Sequence, residues 1–445
     1  MDTNKKRLEV KCLSINPKGM GICEANKKIY EVNNILPKET GLIEILDNQR
    51  VRLVKVLKPS SRRVEPVCDM YDKCGGCQIL HMNYNDQIDF KKNKVEDCLK
   101  QEKLNYKVDE VIEADKFTGY RNKMQVAFKY KDGKVICGFY EEESHRIIPL
   151  SNCPIQSDKQ NEIVKYIQLL MTQMKITPYN EDKRTGVVRF VLVREARYTK
   201  DVMVIIVTNS DIFPGRSDFV KRLKTKFSYI TSIIQNINSR KTSIILGEES
   251  RVLFGNEYIE DYLCGIKFKI SVNTFFQINP YQTEKLYEKV KEYANLSEND
   301  VIIDAYCGIG TIGMTLAHSV NRVIAVESVK QSVVNAIKNA KENNIRNIRF
   351  YNEDATDFIK RLASDNEHID VVIMDPPRSG STVEFLNSVK KLKPHKVVYV
   401  SCDPSTLARD LKTLVSEYII TKKAIVDMFV GTYHVESVVR LDRKN

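Results

Sequence analysis

The sequence predicts an α/β protein in three parts: a small β-barrel over residues 1–58, an α+β region over 59–270 and a doubly wound, Rossmann-like sheet over 271–445. Three observations predict this. Five short runs of alternating apolar and polar residues fill the front; strands and helices then mix without a βαβ repeat; from about Thr283 strand and helix alternate around a glycine-rich turn. A chain of 445 residues, 42% hydrophobic and 29% charged, has the material for several cores and excludes wholesale disorder.

The front runs are Leu8 to Leu13, Gly21 to Cys23, Lys28 to Val32, Gly41 to Ile45 and Val51 to Val56, joined by turn residues such as Pro17-Lys-Gly and Leu36-Pro-Lys-Glu. Five such strands suit a small barrel of the size that binds oligonucleotides. Pro59-Ser-Ser-Arg-Arg reads as a linker, followed by a cysteine-rich stretch and a helix from Tyr84 to about Lys103. The central region carries strands at Gln125 to Tyr130, Val187 to Arg194 and Val202 to Val207, with helices at Ser157 to Gln173 and Arg216 to Phe227. The last third reads as helix (Glu284 to Ala294), strand (Val301 to Asp304), helix (Gly313 to Ser319), strand (Arg322 to Glu327) and helix (Lys330 to Asn343). Strands at Ile348 to Tyr351, Asp370 to Met374 and Lys396 to Ser401 follow. Ligands are expected at the carboxyl ends of these strands.

The net charge of +12 is uneven. Residues 1–65 hold 14 Lys+Arg and 8 Asp+Glu, residues 66–279 hold 33 and 28, and residues 280–445 hold 23 and 22. A basic front on a near-neutral back suggests a polyanion-binding region coupled to a separate chemistry. No apolar run reaches membrane-spanning length, and no export signal opens the chain, so a cytoplasmic protein is expected. In that compartment the eleven cysteines should be thiols, with any cluster serving metal or catalysis.

Asp304-Ala-Tyr-Cys-Gly-Ile-Gly-Thr-Ile-Gly follows a strand and opens a helix, placing Gly308, Gly310 and Gly313 in G-x-G-x-x-G spacing, while Glu327 ends the next strand. This pattern fits NAD, FAD or S-adenosylmethionine. Asp304, Glu327 and Asp354 would repel a pyrophosphate but attract a sulfonium, so the methyl donor is the better candidate.

Two further strand ends are loaded: Met374-Asp-Pro-Pro-Arg378 and Ser401-Cys-Asp-Pro404. Asp375 can accept a hydrogen bond from a flat ring. Cys402 precedes a helix, whose N-terminus is expected to favour its thiolate. A thiolate beside a methyl donor has a specific use: adding to C6 of a uracil turns C5 into an enolate carbon able to attack the methyl group. A base must then take the C5 proton, and Tyr433-His-Val-Glu-Ser437 offers Glu436 or His434. Cys68, Cys74 and Cys77, with a distant Cys153, could hold zinc, hold an iron–sulfur cluster or hold no metal.

With these residues in place, the chain resembles the RNA uracil-5-methyltransferases, in particular the bacterial enzymes that modify 23S ribosomal RNA. The front resembles a TRAM domain, an RNA-binding barrel. Cys68-x5-Cys74-Gly-Gly-Cys77 with Cys153 in Ser-Asn-Cys-Pro resembles the family's four-cysteine iron–sulfur motif, which implies a 4Fe-4S cluster with a structural role. Phe275-Phe-Gln-Ile-Asn279 matches a motif whose glutamine contacts the donor. The resemblance implies donor-site roles for Gln277, Tyr306, Glu327 and Asp375, a nucleophile at Cys402 and a base at Glu436. It also implies that helix 84–103 packs on the catalytic part. The expectation is a monomeric enzyme with no membrane contact acting on 23S ribosomal RNA, with the T-loop uridine of transfer RNA as the alternative substrate.

Overall fold

A computed structural model describes residues 6–46, 50–141, 146–241 and 244–444. The front forms β1 (Arg7–Ile15), β2 (Gly21–Ala25), β3 (Lys28–Val32), β4 (Thr40–Ile45) and β5 (Val51–Lys58), an antiparallel sheet ordered β3-β2-β1-β4-β5. The alternation turns Val10, Cys12, Cys23, Val32 and Ile43 inward, where they pack with Ile35. The expected linker is tethered. Arg63 forks onto the buried carboxylate of Glu39 at 2.7 Å, and the Ser60 N–H donates to the same group at 3.0 Å. Burial pushes the Glu39 carboxyl up, but these donors outweigh it and hold the group below its ordinary value.

Next come α1 (Tyr84–Gln101) and β6 (Glu110–Ile112). The central sheet follows: β7 (Lys123–Lys131), β8 (Lys134–Tyr140), β9 (Ile147–Pro149), β10 (Val188–Glu195), β11 (Val202–Thr208), β12 (Ile230–Ile237) and β13 (Glu249–Gly255). Its order is β13-β12-β11-β10-β7-β8-β9. Helices α2 (Asp158–Gln173) and α3 (Arg216–Lys226) cover one face through Ile163, Ile167, Phe219 and Leu223. The other face packs on the hairpin β14 (Tyr258–Leu263) and β15 (Ile266–Ser271), and through it on the last third of the chain.

That last third contains α4 (Pro280–Ala294), β16 (Val301–Ala305), α5 (Thr311–Leu316), β17 (Arg322–Glu327), α6 (Lys330–Glu342), β18 (Ile348–Asn352), α7 (Ala355–Ser364) and β19 (Val371–Met374). It ends with α8 (Val383–Leu392), β20 (Lys396–Ser401), α9 (Pro404–Leu414), β21 (Tyr418–Val426) and β22 (Glu436–Arg443). The sheet order is β18-β17-β16-β19-β20-β22-β21-β6, with β22 antiparallel to both of its neighbours. The order reverses at β16, so the crevice for a ligand lies beyond the ends of β16 and β19. β6 pairs in parallel with β21, and α1 packs Val95 and Leu99 into the same core as Leu407 and Leu411 of α9. These two early elements therefore belong in space to the C-terminal sheet. Among the described residues no helix is long and apolar enough to cross a membrane.

Candidate active site

The donor loop follows from the order of its residues. Asp304, the penultimate residue of β16, is almost fully buried, with one carboxylate oxygen accepting the Gly313 N–H at 2.7 Å. A Cβ at Gly313 would sit 2.7 Å from that oxygen, so only glycine lets helix and carboxylate meet. Tyr306 adopts φ +63°, uncommon for a bulky residue and a form of backbone strain found at functional sites. Its hydroxyl lies 2.8 Å from that of Ser381. Glu327, at the end of β17, accepts the N–H groups of Gly308 (3.1 Å) and Val329 (2.8 Å).

One cavity is lined by Gln277, Asp304, Tyr306 and Asp375 together with Phe275 and Phe276. Glu327 lies outside that lining and reaches it through Gly308. Burial pushes the Asp304 and Asp375 carboxyls up to about 7, and the second oxygen of Asp304 has no hydrogen-bond partner. Two desolvated carboxylates, one with an orphaned oxygen, suit a cationic ligand and would oppose a phosphate. The Phe pair divides: Phe276 is buried against Phe268, whereas Phe275 is 67% exposed. The backbone of the motif is clamped from both sides. Asn122 donates to the Gln277 carbonyl at 2.9 Å, and Asn279 donates to the Met428 carbonyl at 2.8 Å.

Beyond β19 and β20 stand Asp375, Cys402 and Glu436. Ser401 pairs with Ser437 across β20 and β22; Cys402 directly follows that pair and Glu436 directly precedes it, so the antiparallel register brings the two towards each other. Glu436 is buried at the start of β22. Burial, reinforced by Asp375 and opposed by Arg378, pushes its carboxyl up to about 8. His434 moves the other way: burial and the cations Arg378, Lys94, Lys91 and Arg121 lower it to about 4, leaving a neutral, weakly basic ring. Of the two candidate bases, only Glu436 has the basicity for work near neutral pH.

The expectation of a helix-stabilised thiolate at Cys402 is corrected. Burial first, then the carboxylates of Glu436 and Asp375, push the thiol up to about 11, against Arg378. The helix N-terminus is already occupied: the Asp403 carboxylate accepts the N–H groups of Ser405 (3.0 Å) and Thr406 (3.1 Å). In the free protein Cys402 is therefore a protonated thiol.

The four clustered cysteines lie apart from these groups. Cys68, Cys74, Cys77 and Cys153 line one cavity of about 320 Å³, together with Tyr71, Arg121 and Tyr140. Burial raises the thiols of Cys68, Cys77 and Cys153, the last two to about 12 and about 11. Among the described residues no group of three or more His, Cys, Asp or Glu is placed to hold a metal ion.

Several residues around the site carried no assignment from sequence. Arg378 stood in the quoted Asp-Pro-Pro-Arg run, where its charge was the available signal. Lys94 donates to the Tyr433 carbonyl at 3.1 Å, and Lys91 pairs with Asp427. Nothing in the spacing of α1 pointed to either contact, because their partners lie more than 330 positions away.

Comparison with known proteins fits this geometry. The family profile described as tRNA (uracil-5-)-methyltransferase matches residues 83–444. An uncharacterized RNA methyltransferase of Clostridium tetani is 41% identical over 95% of this chain and 93% of its own length. Another, of Oceanobacillus iheyensis, is 38% identical over 96% and 94%. The crystal structure of the Pyrococcus abyssi tRNA (uracil-54, C5)-methyltransferase, solved with S-adenosyl-L-homocysteine, superposes with a TM-score of 0.78 at 29% identity. That match covers 98% of this chain and 100% of the other. With so much of its length shared, this chain belongs to the tRNA (uracil-5-)-methyltransferase family.

Proposed function

We propose that this enzyme methylates C5 of a specific uridine in 23S ribosomal RNA, with Cys402 as nucleophile and Glu436 as base. The observation that carries the chemistry is that Cys402 directly follows and Glu436 directly precedes the last pair of β20 and β22, Ser401 with Ser437, and that the Glu436 and Asp375 carboxylates act on the Cys402 thiol. S-adenosylmethionine supplies an electrophilic methyl group. Gln277, Tyr306, Glu327 and Asp375 hold it, and the orphaned oxygen of Asp304 suits its positive charge. Asp375 orients the uracil ring. Cys402, which is only partly buried, gives up its proton to solvent and its sulfur forms a bond to C6, which moves an electron pair through C5 towards the O4 oxygen. C5 takes the methyl group; Glu436 removes the remaining C5 proton, the C5–C6 double bond returns, and the Cys402 sulfur departs.

Cys68, Cys74, Cys77 and Cys153 are proposed to hold a 4Fe-4S cluster. The four thiols line one cavity, and their spacing resembles the four-cysteine iron–sulfur motif of the 23S ribosomal RNA enzymes. The cluster supports structure and takes no part in methyl transfer.

The ribosomal reading rests on the likeness of the TRAM-like front and the cysteine spacing to bacterial enzymes of that class. A specific observation favours the T-loop uridine of transfer RNA as the second reading: the solved Pyrococcus abyssi tRNA (uracil-54, C5)-methyltransferase matches 98% of this chain, front included. The chemistry is tested with RNA containing 5-fluorouridine, whose C5 substituent cannot leave as a proton. The native enzyme with donor should yield a protein–RNA adduct that survives a denaturing gel, and Cys402→Ala should yield none. An adduct formed equally by Cys402→Ala would remove Cys402 from the reaction.

A further inference from the structure

Arg121, Lys123 and Arg194 form a cluster of cations, with Arg121 also lining the cysteine cavity. Lys123 and Arg194 are directly opposite each other on β7 and β10, a like-charge cross-strand pair that destabilises a sheet. Arg194 is only 7% exposed. It donates to the carbonyls of Val272 (3.2 Å) and Thr274 (2.8 Å), and its Nε has no partner. The Nε of Arg121 is likewise buried without a partner. Arg121 and Lys123 are both half-buried, and the Arg121 charge acts on the Lys123 ammonium. Among the described residues none of the three has an ion-pair partner. The groups that act on Lys123 are burial and the two arginines, which lower its ammonium to about 8.

The place of this cluster is informative. Asn122, between the two basic residues, clamps the Gln277 and Ile278 carbonyls of the donor motif. The Tyr120 hydroxyl donates to the Val430 carbonyl, and the Arg121 guanidinium lies 5.8 Å from the Phe429 ring, on the segment that leads to Glu436. Residues 120–122 thus tie the cluster both to the donor motif and to the segment that leads to Glu436.

The geometry points to a phosphate-binding site here: Arg121 and Lys123 grip a backbone phosphate of the RNA beside the extruded uridine, and Arg194 raises the potential from behind. This deepens the proposed function and rests on RNA being the substrate. The site is bought with stability, since the cluster repels itself when no RNA is bound.

The test uses the full-length protein and a short, labelled, single-stranded RNA of mixed sequence, with binding measured by anisotropy across a salt series. Lys123→Gln should weaken binding and reduce the slope of log affinity against log salt by about 0.7, the loss of one phosphate contact on a single strand. Lys123→Arg should keep the slope. Lys123→Gln should also raise the melting temperature, because it removes the repulsion with Arg194; a lower melting temperature would mark Lys123 as a structural residue and count against the site. Arg121→Gln gives a second, independent slope. Unchanged slopes in both glutamine variants would overturn the inference, even if the native enzyme methylates RNA. Reduced slopes in an enzyme that methylates no RNA would instead overturn the proposed function and leave the site standing.

Discussion

Lys91 and Asp427, neither with any exposed side-chain surface, form a buried ion pair that ties α1 to the segment leading into Glu436. Lys91 also donates to the Phe429 carbonyl at 2.9 Å, and Gln87, one turn earlier, accepts the Gly431 N–H at 2.9 Å. The Gly431 carbonyl in turn accepts the N–H groups of Gln78 and Ile79, directly after Cys77. The cysteine segment, α1 and the base-bearing segment therefore meet at one buried knot.

Breaking that knot from one side should be costly. Lys91→Met leaves Asp427 as an uncompensated buried charge and is expected to lower unfolding free energy by about 3–5 kcal/mol. Replacing both, Lys91→Met with Asp427→Leu, should recover most of it. Denaturant unfolding of the three proteins checks this; a double variant no more stable than the single one would contradict the ion-pair account.

The cysteine centre should influence catalysis through the same knot. Cys77→Ser is expected to lose bound iron and sulfide after anaerobic purification and to melt at a lower temperature. Turnover should fall while calorimetric affinity for S-adenosylhomocysteine is unchanged, because the donor cavity shares no lining residue with the cysteine cavity. Native protein purified anaerobically without iron would refute the cluster.

Proton removal sets a pH profile. With the Glu436 carboxyl near 8 and the Cys402 thiol near 11 in the free protein, kcat/KM should rise with pH up to about 11, and more steeply on the limb below pH 8 where both groups must lose a proton. Glu436→Gln should flatten this limb and accumulate protein linked to ordinary, unfluorinated RNA when donor is present. A variant with normal turnover and no accumulation would exclude Glu436 as the base.

The same burial affects stability. Asp304 and Asp375 at about 7 and Glu436 at about 8 all lie above their unfolded values of roughly 4, so the folded state holds these protons more tightly. Their contribution is complete below pH 4 and is lost as pH rises through 7 to 8. The free protein should therefore melt at a lower temperature at pH 8 than at pH 6, and Asp375→Asn should reduce the difference. Equal pH dependence in that variant would show that Asp375 does not titrate in this range.

The sequence made much of this site readable because the donor loop, the Asp375 loop and the Cys402 loop each follow a strand within one local motif. Strand–helix alternation locates β16 to β20 to within one residue at most ends. What it missed depends on tertiary pairing. The antiparallel placement of β22, which brings Glu436 towards Cys402, has no local signature, and neither does the recruitment of β6 to the C-terminal sheet; the packing of α1 there is implied by the family resemblance alone, and α1 does pack there in the structure. Cys402 shows how local reasoning fails: the helix N-terminus was read correctly, but Asp403 takes its donors and the neighbouring carboxylates reverse the direction of the thiol's shift.

The most direct measurement is transfer of labelled methyl from S-adenosylmethionine to purified, undermodified 23S ribosomal RNA and transfer RNA, followed by nucleoside analysis and site mapping. The account predicts 5-methyluridine at a defined position of 23S ribosomal RNA, absent with Cys402→Ala. Labelling confined to the T-loop of transfer RNA would contradict the substrate, and label in any nucleoside other than 5-methyluridine would contradict the chemistry.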